Sequence, residues 1–138
     1  MSNQLLKEKL PKEKNYKIQV YYPEQVGTET PEYKKHYIYA KYKKDSGGLF
    51  AYYRQLSMKE ILDSQLEKES VNAQFIINYN SKIKSNMFIE FKNPITKEIE
   101  TYGIVGQPDA YEGYKTDITL NCYSVLDSND YTGEAYDE

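Results

Sequence analysis

Apolar and polar residues alternate along six segments of this 138-residue chain, and this two-residue period constrains the fold more than any other feature. Side chains on a β-strand point alternately to opposite faces, so the pattern predicts strands with one buried face. The predicted strands are residues 16–22, 36–44, 71–79, 87–92, 99–105 and 114–125. Residues 49–55 fit either a short strand or part of a long loop.

Turn-forming residues separate these segments. Pro23 is predicted to end the first strand, and residues 23–35 are predicted to form a loop. Ser57 and Glu60 have the spacing of a helix capping box. Behind them, one helical face carries only apolar side chains, which predicts a helix over about residues 58–68. That face suits either a docking surface or, more commonly, a cover for the open end of a barrel.

The segments together predict a mainly β fold, a small antiparallel β-barrel with one short helix and a long loop after the second strand. Closure into a barrel removes the exposed edges that short strands leave. We expect a flexible basic arm over residues 1–15, a single barrel domain over residues 16–125, and an acidic tail over residues 126–138. The tail is predicted to lack regular structure unless a partner orders it.

Cysteine and histidine each occur once, as Cys122 and His36. A single cysteine cannot form an intramolecular disulfide, and the pair cannot form a Cys/His zinc cluster. We interpret Cys122 as a small core residue and His36 as a surface or interface residue. We found no catalytic constellation, phosphate-binding loop, metal site or cofactor motif, so we expect a protein that is not an enzyme.

No apolar run approaches the roughly 20 residues that cross a bilayer, so we expect no membrane association. Acidic and basic residues nearly balance, giving a net charge of −3. They are nevertheless sorted along the chain, since residues 33–59 are strongly basic and residues 109–138 strongly acidic. Such a chain can pack against copies of itself or bridge unlike partners. Clusters of solvated surface charge would give the same pattern.

The order of short motifs resembles the head–tail joining, or head-closure, proteins of long-tailed (siphovirus-type) bacteriophages. These motifs are Tyr39-Ala40, then Asn78-Tyr79-Asn80, Met87 to Phe91, Tyr102 to Ile104, Pro108 to Tyr111 and Leu120 to Cys122. Family members often have Trp-Ala where this chain has Tyr39-Ala40, and Arg-Tyr where it has Asn78-Tyr79. The resemblance covers about residues 16–125.

The resemblance implies a β-barrel protein of the virion neck, assembled in the host bacterial cytoplasm. It implies a homo-oligomeric ring of twelve copies between the portal or adaptor above and the tail-completion or tail-tube protein below. A loop after the second strand, here about residues 44–56, would enter the channel and retain packaged double-stranded DNA. The candidate channel residues are Lys43, Lys44, Gly47, Gly48 and Arg54. The candidate ring or partner contacts are Tyr37, Tyr39, Met58, Asp127 and Asp130.

Two other functions are compatible with the sequence. A tail-completion or tail-terminator protein would also form a β-rich ring but would contact the tail tube. A small oligonucleotide-binding barrel would use the interleaved tyrosines and basic residues of positions 33–59 as a stacking surface.

Overall fold

Nine β-strands make up the regular structure of the residues described by the computed structural model, which are 14–29, 32–41, 47–56, 71–78, 80–106, 109–110, 117–125 and 131–137. The strands are β1 Tyr16–Val26, β2 Glu32–Ile38, β3 Leu49–Gln55, β4 Ala73–Asn78, β5 Phe88–Lys92, β6 Ile99–Ile104, β7 Asp109–Ala110, β8 Asp117–Val125 and β9 Glu134–Tyr136. Within these ranges there is no helix. The predicted helix 58–68 lies outside them.

Six of the strands close into a barrel. Going round it, β1 pairs with β3, β3 with β4, β4 with β8, β8 with β6, β6 with β5, and β5 with β1 again, always antiparallel. Strand β7 adds to β8. Strand β2 pairs with β1 but is not one of the six barrel strands, and β9 pairs with β2 in parallel. The predicted fold, a mainly β chain forming a small antiparallel barrel, is confirmed.

The first strand is longer than predicted, because Pro23 does not end it. Beyond Tyr21, β1 no longer pairs with β5, so only β2 is hydrogen-bonded to it there. Pro23 lies opposite Lys35, whose amide donates away from β1 to the Gly133 carbonyl at 3.0 Å. The missing N–H of Pro23 therefore falls on the unpaired side of the strand, where proline is tolerated.

The predicted loop 23–35 is wrong for the same reason. Residues 32–38 form β2, which returns antiparallel along the far half of β1. This strand ends where Tyr39 adopts a positive φ of 60°, well before the predicted end at residue 44. The segment 49–55, for which the sequence allowed either a strand or a loop, is β3 and is part of the barrel wall.

The barrel interior is filled by the inward-facing side chains of all six strands. Phe91 is central: its ring stacks on Tyr53 at 4.6 Å between centroids and meets Tyr16 and Phe75 edge-on at 5.5 and 5.6 Å. Cys122 lies in the same core, as predicted, and burial raises the pKa of its thiol. The thiol is therefore not a reactive group at neutral pH.

The acidic tail contributes structure that the sequence did not predict. Within its described part, residues 131–137, Glu134–Tyr136 forms β9 on the outer edge of β2. An unpaired strand edge offers hydrogen-bonding groups to any extended segment that reaches it. Tyr131, just before β9, and Tyr136, within it, add ring contacts with Tyr21 and Tyr37.

Replacing Phe91 by Ala should lower the free energy of unfolding by about 3–5 kcal/mol, since the cavity is surrounded by aromatic rings that cannot collapse into it. The matched control is Phe50→Ala, because Phe50 is 62% exposed on β3 while Phe91 is 1% exposed. The control should change stability by less than about 0.5 kcal/mol. Urea denaturation followed by circular dichroism measures both, and equal effects would contradict this description of the core.

Candidate interaction surface

The connection between β2 and β3 is fixed to the barrel wall at its base. The Gly48 amide donates to the Tyr39 carbonyl at 3.0 Å, so the chain leaves and rejoins the barrel at one point. The Gln19 side chain, on β1, donates to the Gly47 carbonyl at 2.7 Å. The two described ends of this connection are therefore held together, by the Gly48–Tyr39 hydrogen bond and by Gln19 of β1.

Gly47 and Gly48 permit this closure. A Cβ on Gly47 would collide with the Tyr39 carbonyl oxygen, and one on Gly48 would lie 2.7 Å from the Ile18 carbonyl oxygen. Gly48 also has a φ of +119°, which residues with a side chain rarely adopt. In this structure the two glycines therefore form a tightly packed base for the connection between β2 and β3.

Tyr39 begins the loop in a conformation that costs free energy. Its φ of 60° is unusual for a residue with a bulky side chain. Its hydroxyl is buried and has no hydrogen-bond partner among the described residues. Burial, with a smaller contribution from Asp137, raises the pKa of Tyr39 to about 12. The Lys82 ammonium lies 5.4 Å from the ring centroid, so the ring is held by a cation–π contact.

The predicted channel residues are divided between two parts of the chain. Lys43 and Lys44 lie in residues 42–46, outside the described ranges. Arg54 is not in a loop, because β3 alternates with Ala51 facing the core and Arg54 facing outward. The Arg54 guanidinium donates to the Gln74 side chain at 3.2 Å. The second half of the predicted loop 44–56 is thus a barrel strand.

Of the predicted contact residues, Met58, Asp127 and Asp130 also lie outside the described ranges. Tyr37 is 0% exposed and is covered by the chain's own β9. Tyr39 is half-buried at the loop base. The chain's own β9 thus covers Tyr37, and a role for this residue in contact with a partner stays a prediction.

Aromatic side chains form one continuous row across the outside of the sheet. Paired positions on adjacent strands place Tyr136, Tyr37, Tyr21, Phe88 and, across Gly103, Tyr123 in line. Successive ring centroids from Tyr136 to Phe88 are 5.5–5.8 Å apart. The Tyr123 ring covers Gly103, where an added Cβ would lie 2.6 Å from it. We call these residues the aromatic row.

A buried ion pair lies beside the aromatic row. Glu90, 9% exposed, accepts from the Lys35 ammonium at 3.0 Å and from the Tyr37 hydroxyl at 2.8 Å. The Lys35 ammonium also lies 5.0 and 5.1 Å from the ring centroids of Tyr21 and Tyr131. Burial and the hydrogen bond to Glu90 raise the pKa of Tyr37 well above its ordinary value. Sequence reasoning missed Glu90, which looks like an ordinary outward residue of an alternating strand.

His36 lies between two carboxylates from distant parts of the chain. Its Nε2 is 2.8 Å from Asp137 Oδ1, and its Nδ1 is 2.8 Å from Glu24 Oε2. The ring stacks on Tyr22 with centroids 4.8 Å apart. A hydrogen bond from Lys34 is the largest of the interactions that lower the pKa of Glu24. The acidic tail and the basic strand β2 therefore meet within one chain.

Two further features bear on the chemistry of the described residues. No group of three or more His, Cys, Asp or Glu side chains among them is placed to hold a metal ion. The segments that the structure covers also contain no helix long and apolar enough to cross a membrane.

Comparison with known proteins identifies the fold. No protein-family model and no curated protein matches the sequence. The solution structure of protein SF1141 from Shigella flexneri 2a is similar, with a TM-score of 0.62 over 85% of this chain and 97% of that one. The two sequences are 19% identical, so the similarity shows a shared fold and nothing about function.

Two neighbouring tyrosines should respond oppositely to loss of their hydroxyls. Tyr37→Phe should lower the free energy of unfolding by about 1.5–3 kcal/mol, because the buried Glu90 carboxylate loses a donor. Tyr39→Phe should raise it by about 1 kcal/mol, because a buried hydroxyl without a partner is removed. Chemical denaturation of the three proteins in parallel provides the measurement. If Tyr39→Phe destabilises the protein as much as Tyr37→Phe, the Tyr39 hydroxyl has a partner in solution.

Proposed function

We propose that this protein is a structural component of a bacteriophage neck, forming a ring beneath the portal that closes the DNA channel and provides the tail attachment surface. The observation that carries the proposal is the fixed base of the connection between β2 and β3, where the Gly48 amide donates to the Tyr39 carbonyl. We propose that residues 40–47 between these two points are the channel loop. Its sequence has three lysines, Lys41, Lys43 and Lys44, against a single acid. A basic loop on a rigid barrel is the part that a DNA-retaining ring needs.

The mechanism would be steric and electrostatic. Lysines held near the DNA phosphates replace condensed counterions, and the attraction is summed over every loop in a ring. The fixed base matters, because a loop anchored at both ends loses less conformational entropy when it closes on DNA. Release would require the loops to swing aside together when the tail signals ejection.

The oligonucleotide-binding alternative receives less support from the contacts on β2. Lys34 is paired with Glu24 at 3.0 Å and Lys35 with the buried Glu90 at the same distance. These lysines would have to break ion pairs before they could contact phosphates. A tail-completion role would use the same barrel and is separated from head closure by the particle that the protein binds.

Replacing Lys43 and Lys44 by Ser should leave binding to DNA-filled, tailless heads unchanged while the heads lose DNA. The protein is mixed with heads that lack it, the heads are sedimented, and bound protein and retained DNA are both measured. Wild-type protein should bind in a fixed number per head and should stop DNA loss. The loop variant should bind in the same number, because its barrel is untouched, and retain several-fold less DNA.

The matched control replaces Lys84 and Lys92, two exposed lysines outside the loop, by Ser and should retain DNA as the wild type does. Equal retention by the loop variant and the control would contradict the channel role of the loop. Wild-type protein that ignores heads but binds free tails would establish the tail-completion role instead. Binding to neither particle would overturn the neck proposal altogether.

A further inference from the structure

The C-terminal segment, residues 131–137, lies on the outer edge of β2 and over the aromatic row. Its backbone bonds join Thr132 N to the Tyr33 carbonyl at 2.9 Å, Lys35 N to the Gly133 carbonyl at 3.0 Å, and Asp137 N to the Tyr37 carbonyl at 3.0 Å. Its two tyrosine rings pack on Tyr37 and Tyr21. We call the β2 edge together with Tyr21 the acceptor groove.

The strand that lies in the acceptor groove, β9, is not needed to close the barrel. The six barrel strands complete their pairing with one another without β2 and β9. Departure of the C-terminal segment would therefore leave the barrel closed, while exposing the edge of β2 and two tyrosine rings that are otherwise 0–1% exposed. An exposed strand edge beside an apolar patch is a ready site for pairing with another extended segment.

The segment itself has the features of a separable element. It forms a three-residue strand in parallel pairing, which is less stable per residue than antiparallel pairing. Gly133, immediately before β9, has a φ of +150°, a backbone conformation that residues with a side chain rarely adopt. A change at this one residue would redirect the strand away from its own barrel.

We propose that the acceptor groove also receives the C-terminal segment of a second copy of this chain, so that neighbouring copies are joined by segment exchange. The occupant is specified by the groove itself, which is complementary to these seven residues in backbone pairing, ring stacking and charge. The groups that meet the incoming Asp137 carboxylate are the His36 imidazole and the Lys82 ammonium, at 2.8 and 3.6 Å. This inference rests on the proposed ring and names the contact that would build it.

Segment exchange has a small free-energy difference, because the hydrogen bonds and ring stacking broken within one chain form again between two chains. Whether a groove holds its own segment or a neighbour's is decided by the effective concentration of the neighbouring segment. That concentration is high when copies are held side by side on a particle. A segment passed from each copy to the next is a head-to-tail interface, which closes into a ring if the rotation between copies allows.

The test uses two full-length variants, Tyr33→Cys in the acceptor groove and Thr132→Cys in the C-terminal segment, mixed in equal amounts with and without heads. A short bis-maleimide then joins cysteines that lie side by side. Tyr33 and Thr132 are adjacent when the segment is bound, since the Thr132 amide donates to the Tyr33 carbonyl. The native Cys122 is buried and does not compete. The expected product is a crosslinked dimer containing one chain of each variant.

The matched control replaces Thr132→Cys by Ile95→Cys, on a turn where Ile95 is 88% exposed. Exchange predicts at least roughly tenfold more dimer from the first pair than from the control pair, because binding in the groove raises the effective concentration. Dimer yields from the first pair no higher than those from the control pair, with and without heads, would overturn the exchange, even if the protein retains DNA in heads. Abundant dimer from a protein that binds no heads would support exchange and overturn the neck function.

Discussion

Strand β1 connects the two parts of this molecule, and the rest of the structure depends on its pairing. Its first residues pair with β3 and complete the barrel, while residues 18–21 pair with β5. Its second half leaves the barrel and pairs with β2 alone. This one strand thus fixes a closed core and carries an open edge outside it, on which β9 lies.

The open edge is stabilised by polar and aromatic contacts acting together. The Lys35–Glu90 pair is costly to bury, and its cost is offset by the Tyr37 hydroxyl and by the rings of Tyr21 and Tyr131. These groups come from β1, β2, β5 and the C-terminal segment. The network therefore specifies how the elements meet, and it is complete only when residues 131–137, or an equivalent segment, are in place.

The barrel was predictable because each of its strands has one face in the core, and alternating apolar and polar residues indicate a strand that is buried on one face. The far half of the β1–β2 pair was not, because it extends beyond the barrel and its burial does not alternate: Glu32 and Tyr33 are both exposed, and Lys34 and Lys35 are both half-buried. Strand β9 is three residues long and acidic, and its contacts are long-range, as between His36 and Asp137. No local pattern can report partners 101 positions apart.

In the candidate site, too, some positions could be singled out from the sequence, while their contacts depend on residues far away in the chain. The resemblance named Gly47 and Gly48 as channel-loop residues, but the close approach of the Tyr39 and Ile18 carbonyl groups to them comes about only in the fold. Arg54 was expected in a loop because residues 49–55 fit either a strand or a loop, and the resemblance places the channel loop there. The burial of Glu90 depends on Lys35, which is 55 positions away.

The central claim is that a closed barrel carries a separately detachable C-terminal segment. Native-state hydrogen exchange tests it most directly, by comparing the amides of Lys35 and Asp137, which bond across the β2–β9 edge, with those of Phe75 and Leu120 in the barrel wall. A detachable segment predicts that the edge amides exchange through local opening with at least about 100-fold less protection than the barrel amides. Equal protection, lost together as denaturant is added, would mean that the segment and the barrel open only as one unit and would contradict the claim.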